Sequence, residues 1–153
     1  MSAANPRMAG LGAADIERLH AAARAIRDRQ PALADRLLGE VLAAHPAHAE
    51  ALRLRAIGQL HGRRPDLAIA TLGDALRTHP GNALLHCELG NACNATGDQA
   101  AAIAAWREAV RLDPAQGVAW FNLGRAHQLR GETAEAIDAL TQARALAPEV
   151  LPA

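Results

Sequence analysis

The feature that most constrains the fold of this chain is a pattern that recurs every 34 residues. A proline column consists of Pro46, Pro80, Pro114 and Pro148. An alanine column consists of Ala34, Ala68, Ala102 and Ala136. A fixed period of this length is the sequence signature of a repeat architecture. The columns define four repeats without an insertion, 15–48, 49–82, 83–116 and 117–150.

Each repeat is predicted to contain two helices. In the last repeat, Trp120, Gly124 and His127 recur at the spacing of one helical face. Ala136 and Ala143 repeat that spacing in the second half of the same repeat. The pattern therefore favours an all-α chain of helix pairs joined by short turns.

Glycine and proline mark the ends of these predicted helices. Gly131 stands between the two helices of the last repeat, where a left-handed residue ends a helix. Pro31 and Pro65 stand just beyond the equivalent place in earlier repeats, which suits the first turn of a second helix. Small residues in the columns of Gly124 and Ala136 predict a close approach of the two helices.

Composition agrees with this interpretation and excludes several classes of protein. The chain has one Phe, two Trp and no Tyr, so its core must be built from Ala and Leu, which are strong helix formers. A net charge of zero argues against a general nucleic-acid binder. No apolar stretch is long enough to span a membrane. The two cysteines, six residues apart, cannot pair on one helix, which suits a reduced, cytoplasmic chain.

The charge is unevenly distributed along the chain. Residues 1–64 carry 10 Arg and 6 acidic residues, whereas residues 65–153 carry 6 Arg and 10 acidic residues. A solvated surface and head-to-tail association are both compatible with this asymmetry. We expect residues 1–14 to form a flexible N-terminal segment without a signal peptide, and residues 151–153 to form a short tail.

The last repeat resembles a tetratricopeptide repeat. It reads W-x2-L-G-x2-H from Trp120, in place of the family's W-x2-L-G-x2-Y, and continues through Ala136, Leu140, Ala143 and Pro148. The repeat at 83–116 keeps Leu89-Gly90 and Gly97, and the repeat at 49–82 keeps the second-helix columns. The repeat at 15–48 departs most, with Arg18 in the Trp column.

This resemblance implies a right-handed superhelical solenoid of antiparallel helix pairs whose first helices line a concave groove. It implies a non-catalytic scaffold that binds a protein or peptide there, without a cofactor. The groove residues carried over from the family's positions are Arg53, Ile57, Leu60, Cys87, Asn91, Asn94, Phe121, Asn122, Arg125 and Gln128, and the same positions also include Glu50, Val118 and Leu129.

The groove is expected to have two characters. Its amides, Asn91, Asn94, Asn122 and Gln128, could pair with the backbone of an extended ligand, and Arg53 and Arg125 could hold a carboxylate. Its N-terminal part is an apolar strip of Ile16, Leu19, Ile26, Ile57 and Leu60. The carboxylate clamp of chaperone-binding family members is absent, because Cys87 stands where that clamp needs a lysine.

Catalytic and metal-binding alternatives have little support in the sequence. Cys87, expected to be exposed in the groove near His61, lacks an obvious base and oxyanion site. None of the seven histidines has the spacing of a zinc motif, so we expect no metal.

At the C-terminal end Ile137 and Leu146 stay apolar, which predicts that a downstream domain or a second copy of the protein covers them. Bacterial repeats of this appearance often precede a sulfotransferase or oxygenase domain, so a repeat module of a larger enzyme is the alternative function.

Overall fold

The computed structural model describes residues 5–146 of the chain; Pro148 and the 151–153 tail lie outside them. Within this range the helices are α1 (Ala13–Arg27), α2 (Pro31–Ala44), α3 (Ala49–His61), α4 (Pro65–Thr78), α5 (Ala83–Thr96), α6 (Gln99–Leu112), α7 (Gly117–Leu129) and α8 (Thr133–Leu146). They form four consecutive helix pairs, one for each predicted repeat. The predicted all-α fold of tandem helix pairs is therefore confirmed.

The chain divides into two compact parts, an N-terminal half (Met1–Pro80) and a C-terminal half (Gly81–Ala153). The N-terminal half contains α1 to α4, and the C-terminal half contains α5 to α8. The boundary falls between the second and third repeats.

The second helices begin where the sequence predicted. Pro31 and Pro65 occupy the first turns of α2 and α4, where the missing backbone N–H removes no helical hydrogen bond. In the third repeat Asp98 caps α6 instead, because its side chain accepts a hydrogen bond of 3.0 Å from the backbone N–H of Ala101. The turn between paired helices is therefore determined by local sequence.

All four turns use a left-handed residue at the same place in the repeat. Gly97 and Gly131 have φ values of 87° and 73°. At the equivalent places the first two repeats have Arg29 and Arg63, with φ values of 55° and 57°. The left-handed conformation crowds the Cβ atom of an ordinary residue, so these arginines carry a conformational cost that glycine avoids.

Arg63→Gly is therefore expected to raise the free energy of unfolding by about 1 kcal/mol, because glycine adopts this backbone conformation freely. Gly97→Ala at the same place in the third repeat is the matched control, and we expect a loss of similar size. Urea unfolding followed by circular dichroism measures both changes. Equal stability of Arg63→Gly and the wild type would contradict a strained turn.

The core of the N-terminal half lies among α1, α2 and α3. It is formed by small and branched residues that pack in the repeat columns, including Leu19, Ala22, Ala34, Leu38, Val41, Ala51 and Leu54. A short 3-10 helix, Pro6–Met8, precedes α1, and Met8 and Leu11 pack against this core. Part of the segment expected to be flexible thus contributes to packing.

The C-terminal half is built on close approach between paired helices. A Cβ atom added to Gly90 on α5 would lie 2.4 Å from Nε1 of Trp106 on α6. A Cβ atom added to Gly124 on α7 would lie 2.5 Å from Cγ of Leu140 on α8. Both distances are far below van der Waals contact, so the predicted role of the small-residue column is confirmed.

Candidate functional site

A stripe of side chains on α7 faces solvent in the C-terminal half. Val118, Asn122, Arg125 and Leu129 are spaced by four, three and four residues, so they lie on one helical face. Val118 is 63% exposed and Leu129 is 73% exposed, so both apolar side chains face water. Arg125, between them, is exposed and makes no ion pair with any described residue. We call these four residues, together with the half-buried Phe121, the α7 face.

Two of the predicted groove amides form an internal network beside the α7 face. Oδ1 of Asn91 accepts hydrogen bonds from Nε1 of Trp106 at 3.2 Å and from Nδ2 of Asn122 at 2.9 Å. Nδ2 of Asn91 donates to the Glu88 carboxylate at 3.1 Å. This network joins α5, α6 and α7, so the Asn91 and Asn122 side chains are engaged in bonds between these helices.

The two remaining amides are more accessible. Asn94 and Gln128 are both exposed near the C-terminal ends of α5 and α7. Oδ1 of Asn94 accepts a hydrogen bond of 2.8 Å from Gln99, which leaves its Nδ2 donor directed away from that bond. These side chains therefore suit contact with a polar ligand better than Asn91 does.

Arg53 is paired with an acidic residue of its own helix. Its guanidinium forms a bidentate ion pair with Glu50, with both N–H···O distances at 2.9 Å. The Arg53 and Glu50 side chains are only 14% and 9% exposed. The charge of Arg53 is thus engaged by Glu50 within α3, and its contact with a ligand's carboxylate stays a prediction.

Two expectations are wrong: that Cys87 is exposed, and that Leu19 and Ile26 line an accessible apolar strip. Cys87 is 4% exposed, so it does not lie open in a groove as expected. Leu19 and Ile26, assigned to the apolar strip, are buried in the core of the N-terminal half. Ile57 and Leu60 remain half-buried at its surface. The repeat position alone therefore does not determine whether a side chain is exposed to solvent.

Sequence reasoning missed a pocket in the N-terminal half. Its volume is about 690 Å³, and it lies where the C-terminal ends of α1 and α3 meet the N-terminal end of α2. We call it the basic pocket. Its lining residues are Ala23, Ile26, Arg27, Arg29, Gln30, Pro31, Ala34, Asp35, Leu38, Leu54, Ile57, Gly58, Gln59, His61, Gly62 and Arg64. The excess of arginine in residues 1–64 was its only signal in the sequence.

A buried histidine occupies the column where the family has tyrosine. His127 is buried in the C-terminal half, and its Nδ1 lies 2.5 Å from Oε2 of Glu132. The other carboxylate oxygen of Glu132 accepts a hydrogen bond of 2.9 Å from Arg130. The bond with His127, followed by the charge of Arg130, holds the pKa of Glu132 below its ordinary value. These contacts stabilise the turn between α7 and α8.

The contacts of Glu132 predict that the stability of the protein depends on pH. Because the pKa of Glu132 is lowered by folding, the unfolded chain binds the proton first as the pH falls. The stabilisation is complete above the ordinary pKa of 4.5 and is lost as the pH falls through the lowered value. We therefore expect the stability difference between wild type and Glu132→Gln to shrink from neutral pH to about pH 3. Urea unfolding at a series of pH values measures it; a difference independent of pH would contradict the assignment.

The described part of the chain contains no cluster of three or more His, Cys, Asp or Glu side chains placed to hold a metal ion. None of its helices is long and apolar enough to cross a membrane.

Comparisons with known proteins agree with the helix pairs. Models of the TPR repeat or tetratricopeptide repeat match residues 19–83, 90–131 and 117–150. A comparison with curated proteins gives no significant match.

Solved structures share the fold. The crystal structure of MamA protein has a TM-score of 0.71 at 23% identity, and covers 90% of this chain and 75% of its own. Another crystal structure of MamA has a TM-score of 0.70 at 25% identity, over 82% of this chain and 73% of its own. The second TPR of Spaghetti (RPAP3), bound to the HSP90 peptide SRMEEVD, has a TM-score of 0.61 at 21% identity, over 64% of this chain and 91% of its own. The repeat period, the helix pairs and the matching models agree: this chain belongs to the tetratricopeptide repeat family.

Proposed function

We propose that this protein is a non-catalytic interaction scaffold that binds a peptide or a partner helix across the α7 face. One observation supports this most: two large apolar side chains are exposed on one face of a helix, on either side of an arginine that pairs with no residue the structure describes. Apolar side chains that a helix exposes along one face offer a partner surface that can be removed from water on binding. A similar structure binds a peptide, which agrees with the proposal at the level of the fold.

The dimensions of the α7 face suit such a ligand. Val118 and Leu129 are eleven residues apart on α7, a separation of about 16 Å along the helix axis. This length matches three turns of a partner helix or about five residues of an extended peptide. Val118 and Leu129 would lose contact with water on binding, and Arg125 would hold a carboxylate or carbonyl oxygen between them. Asn94 and Gln128 would pair with the ligand backbone at the groove margin.

Selection from a displayed library of random peptides, with the wild-type protein as target, tests the proposal. Selected peptides are labelled and their affinities measured by fluorescence anisotropy. Arg125→Glu is expected to weaken binding at least about tenfold, because it removes a charge-assisted hydrogen bond and introduces repulsion. Arg107→Glu is the matched control, since Arg107 is an exposed arginine on the second helix α6. Equal affinities for wild type and Arg125→Glu across all selected peptides would overturn the proposal.

The second candidate is that these repeats serve recruitment or dimerisation within a longer bacterial enzyme. It is favoured by the surface of the last helix, where Ile137 is 62% exposed and Leu146 is 42% exposed. A following domain or a second copy would cover these side chains, and the neighbouring Arg144 stays in solvent. The test is whether the natural reading frame continues beyond Ala153 into a catalytic domain. We place either form of the protein in the cytoplasm.

A further inference from the structure

The basic pocket combines an apolar floor with a positively charged rim. Ile26, Leu38, Leu54 and Ile57 contribute apolar atoms to its lining. Three arginines, Arg27, Arg29 and Arg64, also line it, against a single acidic residue, Asp35. None of the three arginine side chains has an ion pair or hydrogen bond with a described residue. The pocket lining therefore carries an excess of positive charge beside apolar surface.

Two of these arginines stand where the fold itself would favour other residues. Arg29 has a φ of 55°, at the place where the third and fourth repeats have glycine. Arg64 precedes α4 as its N-cap and makes no capping hydrogen bond, whereas Asp98 at the same place in the third repeat caps α6. Local stability thus accounts for neither arginine.

We propose that the basic pocket binds an acidic peptide segment of a partner protein, in which an apolar side chain lies beside one or more carboxylates. The apolar side chain enters the pocket, and Arg29 and Arg64 hold the carboxylates by charge-assisted hydrogen bonds. The charge of the rim selects this partner chemistry over neutral or basic segments. This site is separate from the α7 face, and it rests on the proposed function only in that the protein is an interaction scaffold.

The decisive variants remove the rim charges without weakening the fold. Arg29→Gly relaxes a left-handed turn, and Arg64→Asp supplies the cap that Asp98 provides in the third repeat. Neither is expected to lower the thermal unfolding temperature, so lost binding is not a consequence of unfolding. Arg63→Gly is the matched control, because Arg63 has the same left-handed backbone but does not line the pocket.

The peptides selected with the wild-type protein provide the probe. We expect one group to contain Asp or Glu beside Leu, Ile, Val or Phe. The affinity of the protein for these acidic peptides should fall about tenfold with Arg29→Gly and by a larger factor with Arg64→Asp. It should stay unchanged with Arg63→Gly and with Arg125→Glu. Replacing Asp and Glu by Asn and Gln in these peptides should also abolish binding, and added salt should weaken it.

Each other result separates the two proposals. If no acidic group is selected while other peptides depend on Arg125, the pocket proposal fails and the proposed function stands. If the binding of acidic peptides depends on Arg29 and the binding of no peptide depends on Arg125, the proposed binding across the α7 face is wrong and the pocket proposal is supported. Equal losses with Arg29→Gly and Arg63→Gly would overturn the pocket. Self-association of the wild type in sedimentation, abolished by Arg29→Gly, would assign the pocket to a second copy and overturn a separate partner.

Discussion

Gly90→Ala is expected to lower the free energy of unfolding by about 1–3 kcal/mol, as overpacking of a tight core does. The added Cβ atom would lie 2.4 Å, 2.5 Å and 2.8 Å from Nε1, Cδ1 and Cε2 of Trp106. Trp106 is a rigid ring and is 3% exposed, so it has no room to move aside. Gly124→Ala should behave similarly, because its Cβ atom would meet both side-chain and backbone atoms of Leu140.

Gly73→Ala provides the control with the opposite sign. Gly73 lies inside α4, and a Cβ atom added there meets nothing within 4 Å. Alanine is the better helix former, so this substitution should raise the free energy of unfolding by about 0.5–1 kcal/mol. Urea unfolding of the three variants measures both signs. A stability gain in Gly90→Ala would show that α5 and α6 separate easily, which contradicts a close-packed pair.

Asn91→Ala is expected to lower the free energy of unfolding by about 1–3 kcal/mol, because it leaves a buried donor without an acceptor. The donor is Nε1 of Trp106, whose hydrogen bond to Asn91 is 3.2 Å long. The better helix propensity of alanine offsets only about half a kcal/mol of this loss.

Asn122→Ala separates this internal role from a ligand contact. Asn122 donates to the same Oδ1 atom at 2.9 Å, but its removal leaves the bond between Asn91 and Trp106 in place. Its cost should therefore be the smaller, about 0.5–1.5 kcal/mol. Thermal and urea unfolding measure both variants. If Asn91→Ala kept full stability and lost only peptide binding, Asn91 would be a ligand contact and the internal network would carry no weight.

The architecture could be predicted from the sequence because its causes are local and repeated. Gly97 and Gly131 end helices through their own backbone freedom, and Pro31 and Pro65 begin them through their fixed φ. The small residue at Gly124 predicted close packing, since a 34-residue period places it opposite the same partner column in every repeat. Such rules depend on a residue and its near neighbours along the chain.

The binding surfaces were predicted less completely, for a physical reason that Arg53 and Arg125 illustrate. Both stand at groove positions, yet Arg53 is paired with Glu50 and largely buried, whereas Arg125 is exposed and forms no ion pair within residues 5–146. The position in the repeat determines the direction of the Cα–Cβ bond. The partner of a long side chain depends in addition on which charged groups lie within its reach. Val118 and Leu129 lie at predicted positions, and only the structure shows how far they are exposed.

By itself the sequence determined the period, the helix pairs, the helix ends and the columns of close contact, because these follow from backbone preference and from spacing along one helix. Only the tertiary structure decided that Cys87 is buried, that Asn91 faces inward and that Arg29 and Arg64 share the rim of one pocket. Arg29 and Arg64 belong to different repeats, so their meeting depends on how neighbouring helix pairs pack. Packing between elements, which no local pattern records, therefore decides where this protein offers a surface to a partner.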